Sequence, residues 1–192
     1  MGRVTDAYRG WRAGWHRLST RVYGPSRGLE GFNWVPGEPI AIGSMPVGDA
    51  VTRLPTHGIT HSVVCRAALQ TSISQDLWAE RAVLGEGNVA HAPMWDRGRN
   101  QPEALWVPAV RFAAQTLSDD PDARVLIHCQ QGRRRSVMVA YATLRLRGHS
   151  ADEAARLVLE TRPMGRLVPV YRANVENWLQ TLADGADAAA GA

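Results

Sequence analysis

Short apolar runs alternate with longer helical patterns along most of this 192-residue chain. Residues 40–43, 61–65, 89–93 and 124–129 are compact apolar runs, and they predict strands. Between them, 47–54, 74–84 and 102–117 repeat apolar positions at helical spacing. Three more helices are predicted after the last strand, over 136–147, 150–160 and about 170–182. Gly148 ends the first of these, and Ser150 with Glu153 forms a capping box for the second. Strands alternating with helices imply an α/β fold of three layers, with a mainly parallel central sheet flanked by helices on both faces. Ahead of it, Val4, Tyr8, Trp11, Trp15, Leu18 and Val22 recur at steps of four and three, one face of a helix that Gly24-Pro25 and Gly28 end. Residues 184–192 are a low-complexity, Ala-rich stretch expected to be disordered. The predicted organisation is therefore an amphipathic helical extension at 1–30, one globular domain at 31–183 and a short tail.

Composition supports a single globular domain, with 45% hydrophobic and 21% charged residues. No apolar run approaches the roughly 20 residues of a membrane span. No apolar segment of signal-peptide type opens the chain, so secretion is not expected. Two cysteines make no disulfide framework, and a reducing cytoplasm is the expected location. The net charge of +4 conceals an imbalance: all 22 basic residues are arginine. Codon usage in a G+C-rich genome accounts for that, yet any basic surface then offers forked donors suited to phosphate. Residues 1–28 hold six arginines and one aspartate, so this helix either packs its aromatic stripe on the domain or makes a weak membrane-surface contact. No specific nucleic-acid partner is expected.

The chemistry concentrates in His128-Cys129-Gln130-Gln131-Gly132-Arg133-Arg134-Arg135-Ser136. A cysteine ending a strand, a tight loop and a helix start make an anion cradle. Loop N–H groups and the helix dipole both favour negative charge there. A thiol so placed ionises below its free value of about 8.5, and the same donors hold a phosphoryl group above it. Gly132 sits where the loop must curl without a Cβ. Arg135 offers a planar fork for two phosphoryl oxygens. Ser136 caps the helix or donates to the sulfur, and His128 is expected to order the loop through backbone hydrogen bonds. Gln130, Gln131, Arg133 and Arg134 line or flank the pocket. A lone cysteine after a strand is commonly packing, and an arginine run is commonly solvated. The complete string between a strand and a helix favours the anion site.

With its HC-x2-G-x2-RS string, the chain resembles the cysteine-dependent protein tyrosine and dual-specificity phosphatases, and within them the small atypical dual-specificity branch. The resemblance runs from about residue 32 to 182. Phe32-Asn33-Trp34-Val35-Pro36-Gly37 with Ile40-Ala41-Ile42-Gly43-Ser44 resembles the branch's entry segment, and His57-Gly58-Ile59-Thr60-His61-Ser62-Val63-Val64 its second-strand approach. Gly148-His149-Ser150-Ala151-Asp152-Glu153-Ala154 and Arg162-Pro163 resemble its helical tail. The resemblance implies a phosphotyrosine-phosphatase-like fold and hydrolysis through a phosphocysteine, with no cofactor and no metal.

Expulsion of an alkoxide or phenoxide needs a proton donor over the leaving oxygen. Asp76 opens a helix, and Asp119 and Asp120 precede their strand in a turn with Pro121. Asp96 follows the end of a strand in a loop with Gly98, at the sheet edge where ligands bind, and that loop can close like a lid. It also lies 33 residues before Cys129, the separation the resemblance implies for the acid. Asp96 is therefore the predicted general acid, with Cys129, Arg135 and Ser136 completing the catalytic group and a mildly acidic optimum expected. His57 and His61 lie across a turn, which argues against zinc. Cys65 ends its strand either as a small core residue or as a redox partner of Cys129, the second being what resemblance to the phosphoinositide-phosphatase branch implies. For substrate, protein phosphotyrosine stands first, with Trp95 or Trp106 as an aromatic wall or as packing. Arg133 and Arg134 keep phosphoinositide, inositol or nucleotide phosphates as the alternative. An inactive phosphate-binding module is disfavoured because Cys129, Asp96 and Arg135 are all present.

Overall fold

The computed structural model describes residues 31–74 and 76–190. The helix expected within residues 1–30 lies outside them. Five strands form one sheet: β1 (Phe32–Trp34), β2 (Ile40–Ser44), β3 (His61–Val64), β4 (Val89–His91) and β5 (Val125–Cys129), in the order β1-β2-β5-β3-β4. Only β1 is antiparallel; β2, β5, β3 and β4 run parallel. The central β5 is buried along its whole length, as a strand covered on both faces must be. Each buried Val, Leu or Ile there contributes about 1.5–3 kcal/mol over exposure.

The helices are α1 (Asp49–Thr52), α2 (Ala68–Ser74), α3 (Asp76–Leu84), α4 (Val107–Asp119), α5 (Arg135–Leu146), α6 (Ala151–Thr161) and α7 (Pro169–Ala190). Alternation along β5 divides them between two layers. Val125, Ile127 and Cys129 join the larger core, which also takes in Val110, Val139, Leu157 and Trp178 from α4 to α7. Leu126 faces the smaller cluster, built with Val51 of α1 and Ala79 of α3. The first ten residues of α5 are all buried, so this helix runs through the core rather than along the surface.

The differences from the sequence expectations have local causes. The helix expected over 47–54 is one turn, followed by a short 3-10 turn at Pro55–His57. The helix expected over 74–84 is met by α3, α2 lies ahead of it where no helix was expected, and Phe32–Trp34 pairs as an edge strand too short for alternation to reveal. The helix expected over 102–117 begins as a separate turn, Glu103–Leu105, before α4. The tail from 184, expected to be disordered, continues α7 to Ala190, since alanine carries the highest helix propensity. Ser150 caps α6 as predicted, its hydroxyl accepting from the Glu153 N–H at 3.2 Å.

Candidate active site

Three parallel strands deliver their following loops to one edge of the sheet: residues 66–74 after β3, 92–101 after β4, and 130–134 between β5 and α5. The third is the predicted anion loop. Gly132 takes φ +67°, and a Cβ there would lie 2.6 Å from the Gly43 carbonyl carbon and 2.7 Å from Arg162 Nη2. Only glycine fits so close to β2 with that backbone. Arg162, just past α6, braces the loop from outside. Its Nη1 donates to Asn33 Oδ1 at 2.9 Å, and its Nε and Nη2 donate to the Gly132 and Gln131 carbonyls at 3.4 and 3.5 Å. The Arg166 N–H donates to the Arg133 carbonyl at 2.7 Å. Three successive carbonyls thus face the 162–166 segment, and planar trans peptides turn the paired N–H groups the other way.

Of these, the Arg133 N–H serves the sulfur. Cys129 is buried, its Sγ accepts from Ser136 Oγ at 3.4 Å, and backbone N–H groups of Ser136 and Arg133 also donate to it. Burial pushes the thiol up, but the Arg135 charge and these hydrogen bonds outweigh it and bring the pKa down to about 7. Arg135 is itself buried. Its Nη1 donates to Gln70 Oε1 and to the Met94 carbonyl, both at 3.0 Å, which ties α2 and the β4 loop to the anion loop. Its buried Nε has no protein partner and is free to donate to a phosphoryl oxygen.

Asp96 reaches the same edge from the β4 loop, partly exposed, with Oδ1 3.5 Å from Arg134 Nη1. The loop expected to act as a lid is tied down. The Gln101 amide donates to the carbonyls of Trp95 and Arg99 at 3.0 and 3.3 Å, and the Gly98 N–H donates to the Tyr171 hydroxyl at 3.2 Å. The other carboxylates are placed elsewhere. Asp76 is buried in an ion pair with Arg66. Asp119 accepts from Gln115, and Asp120 accepts from the Asp122 N–H in the turn before β5, at the opposite end of that strand.

His128 departs from expectation. Alternation turns it to the α3 side, where Nε2 lies 2.9 Å from Glu80 Oε1, both side chains fully buried. The ring is held by a carboxylate on α3 and not by backbone groups of the loop, so His128 does not order the loop through backbone bonds. Burial works against the imidazolium, but the Glu80 charge outweighs it and raises the His128 pKa. Glu80 is fixed in turn by the Ser62 hydroxyl. Cys65 shares the larger core with Cys129, and its N–H donates to the His128 carbonyl at 2.8 Å, one step beyond the β3–β5 ladder. Both thiols are free; burial and the Cys129 charge push the Cys65 thiol well above its ordinary value.

Trp106 cannot wall the pocket, because it is fully buried against Trp178 with ring centroids 5.2 Å apart. Trp95 stays exposed beside Asp96, with the Arg97 guanidinium 5.4 Å from its ring. Gln130 has a buried, unpartnered Oε1, while Gln131 and Arg133 are exposed. Sequence reasoning missed Gln70, Glu80, Gln101, Arg162 as a brace, and Tyr171. Of these only Arg162 carried a signal, through the Arg162-Pro163 match.

No protein-family model matches the chain, and no curated protein matches it. Solved structures do share its fold. A mouse putative dual specificity phosphatase, solved with zinc tungstate, superposes with a TM-score of 0.63 at 23% identity, over 85% of this chain and 93% of that one. PTPMT1 gives 0.65 at 15% identity, over 81% and 98%, and has also been solved in complex with PI(5)P. Human DUSP28 gives 0.59 at 21% identity, over 80% and 95%. The chain therefore has the fold of the dual-specificity phosphatases, as its resemblance to them implied.

Proposed function

We propose that this chain is a phosphoric monoester hydrolase working through a phosphocysteine, with protein phosphotyrosine as its first substrate class. One observation carries the reading: the Cys129 sulfur accepts from the Ser136 hydroxyl beside a buried arginine whose Nε is free, surroundings that favour the thiolate. Cys129 Sγ attacks phosphorus along the line opposite the ester oxygen, while Asp96 gives that oxygen its proton. Loop N–H groups and Arg135 hold the equatorial oxygens as charge redistributes. Water then attacks the phosphocysteine, Asp96 takes its proton, and the sulfur leaves as a thiolate that Ser136 stabilises. Trp95, exposed at the mouth, supports an aryl substrate.

A second substrate class, phosphoinositide, inositol or nucleotide phosphates, is favoured by charge. Residues 66–74, 92–101, 130–135 and 162–168 hold eight arginines and one carboxylate, Asp96. PTPMT1, one of the structural neighbours, is solved with such a ligand. Turnover of p-nitrophenyl phosphate, abolished in Cys129→Ser, tests the chemistry. Comparing kcat/KM on phosphotyrosine peptides and soluble short-chain phosphoinositides separates the classes. A wild-type chain that binds phosphate but turns over no monoester would refute the proposal.

A further inference from the structure

Four of the six large hydrophobic side chains exposed among the described residues lie on the edge that carries the candidate active site. Leu69 and Ile73, 59% and 39% exposed, are one helical turn apart on α2, whose Gln70 holds Arg135. Trp95, 41% exposed, adjoins Asp96. Met164, 58% exposed, lies between Arg162 and Arg166, both bonded to the anion loop. Among these apolar tips stand the exposed side chains of Arg97, Arg99, Arg133 and Arg166, and no carboxylate pairs with any of them among the described residues.

We propose that this edge docks on an anionic lipid surface, with the candidate active site facing the headgroups. The apolar tips enter the boundary between headgroups and acyl chains, and the arginines meet lipid phosphates with forked donors. The arrangement fits a surface better than a peptide. Recognition of a peptide seats its anchors in pockets or along a sheet edge, whereas here the protein's own side chains project from one helix and two separate loops. Asp96, the one carboxylate on these segments, is drawn in by Arg134 at 3.5 Å, which leaves little to repel an anionic surface. The proposal extends the phosphatase reading and rests on it only for what docking delivers, a phosphate ester carried by the membrane.

Sedimentation of the full chain with phosphatidylcholine vesicles, with and without phosphatidylserine, tests it alongside p-nitrophenyl phosphate turnover. Binding is expected only with phosphatidylserine and falls as salt rises. The double variant Leu69→Glu/Met164→Glu is expected to bind at least about ten-fold more weakly, since it removes two apolar tips and adds two like charges. Turnover of the small substrate is expected to stay at the wild-type rate. Met164→Glu alone, on an exposed loop, keeps the test open if the double variant folds poorly. Equal binding to neutral vesicles, no binding to either kind, or binding that survives both variants (as it would if residues 1–28 carried it) overturns the proposal. So does a double variant that loses only its rate on an acidic phosphotyrosine peptide, because the edge would then dock protein. Absent turnover with intact vesicle binding sinks the phosphatase reading instead.

Discussion

Replacing Ser136 with alanine is expected to raise the Cys129 pKa without displacing the loop. Ser136 Oγ donates to the sulfur at 3.4 Å, one of several donors that counter burial and bring the thiol to about 7. A hydrogen bond to a charged group is worth about 1.5–3 kcal/mol, and 1.36 kcal/mol corresponds to one pKa unit. The contact is long and the backbone donors from Ser136 and Arg133 remain, so the lower end applies and a rise of about one unit is expected. The sign follows from the charge: a donor lost from a thiolate weakens the ionised form, so ionisation moves to higher pH. Two units below the wild-type midpoint, the thiolate fraction would drop about ten-fold. The rate of iodoacetamide alkylation of Cys129 against pH measures this directly, with the wild type half-maximal near 7. Breakdown of the phosphocysteine slows as well, because its leaving sulfur loses the same donor. An unchanged alkylation midpoint in the variant would refute the assignment of Ser136 to the sulfur.

Asp96→Asn is expected to lower kcat by about 10²–10⁴ on phenyl or alkyl phosphates and much less on esters with acidic leaving groups, which a leaving-group series would reveal. In the wild type, on an ester whose acidic leaving group needs no proton, the acid limb of kcat/KM is expected to rise as Cys129 ionises, with its midpoint near 7; a profile flat across that range would contradict the thiol's placement. Gly132→Ala must hold φ +67° with a Cβ 2.6 Å from Gly43 backbone, so a loss of about 1–3 kcal/mol in thermal denaturation is expected, together with loss of stabilisation by added phosphate. Mild peroxide is expected to link Cys65 to Cys129, neighbours at the ends of adjacent parallel strands, and peptide mapping that finds only sulfinic Cys129 would exclude the link.

Legibility from sequence tracked how local each cause was. The strand, loop and helix around Cys129 could be read because an apolar run, Gly132, and the apolar start of α5 follow one another within a few residues. Asp96 was legible through topology, since its position after a strand decides which sheet edge it reaches. The braces were not. Gln70, Arg162 and Tyr171 lie 65, 30 and 73 residues from the groups they bond, and no periodicity marks such pairs. Glu80 and Asp76 occupy one helix face four apart, a spacing that ordinarily means a solvated acidic stripe, yet both are buried, against His128 and Arg66. His128 stands at the period-2 position opposite in facing to Cys129, which turns its ring to Glu80 and away from the anion loop. Trp106 and Trp95 are alike in sequence, and only packing separates the core residue from the exposed one.

The central claim is that Cys129 carries the phosphoryl group between substrate and water. Rapid mixing of Asp96→Asn with an aryl phosphate of acidic leaving group, quenched in acid and mapped by mass spectrometry, tests it most directly. A phosphoryl adduct on the peptide containing Cys129, absent from Cys129→Ser, is the predicted result. Steady turnover that persists in Cys129→Ser, with no adduct on any cysteine, would contradict it.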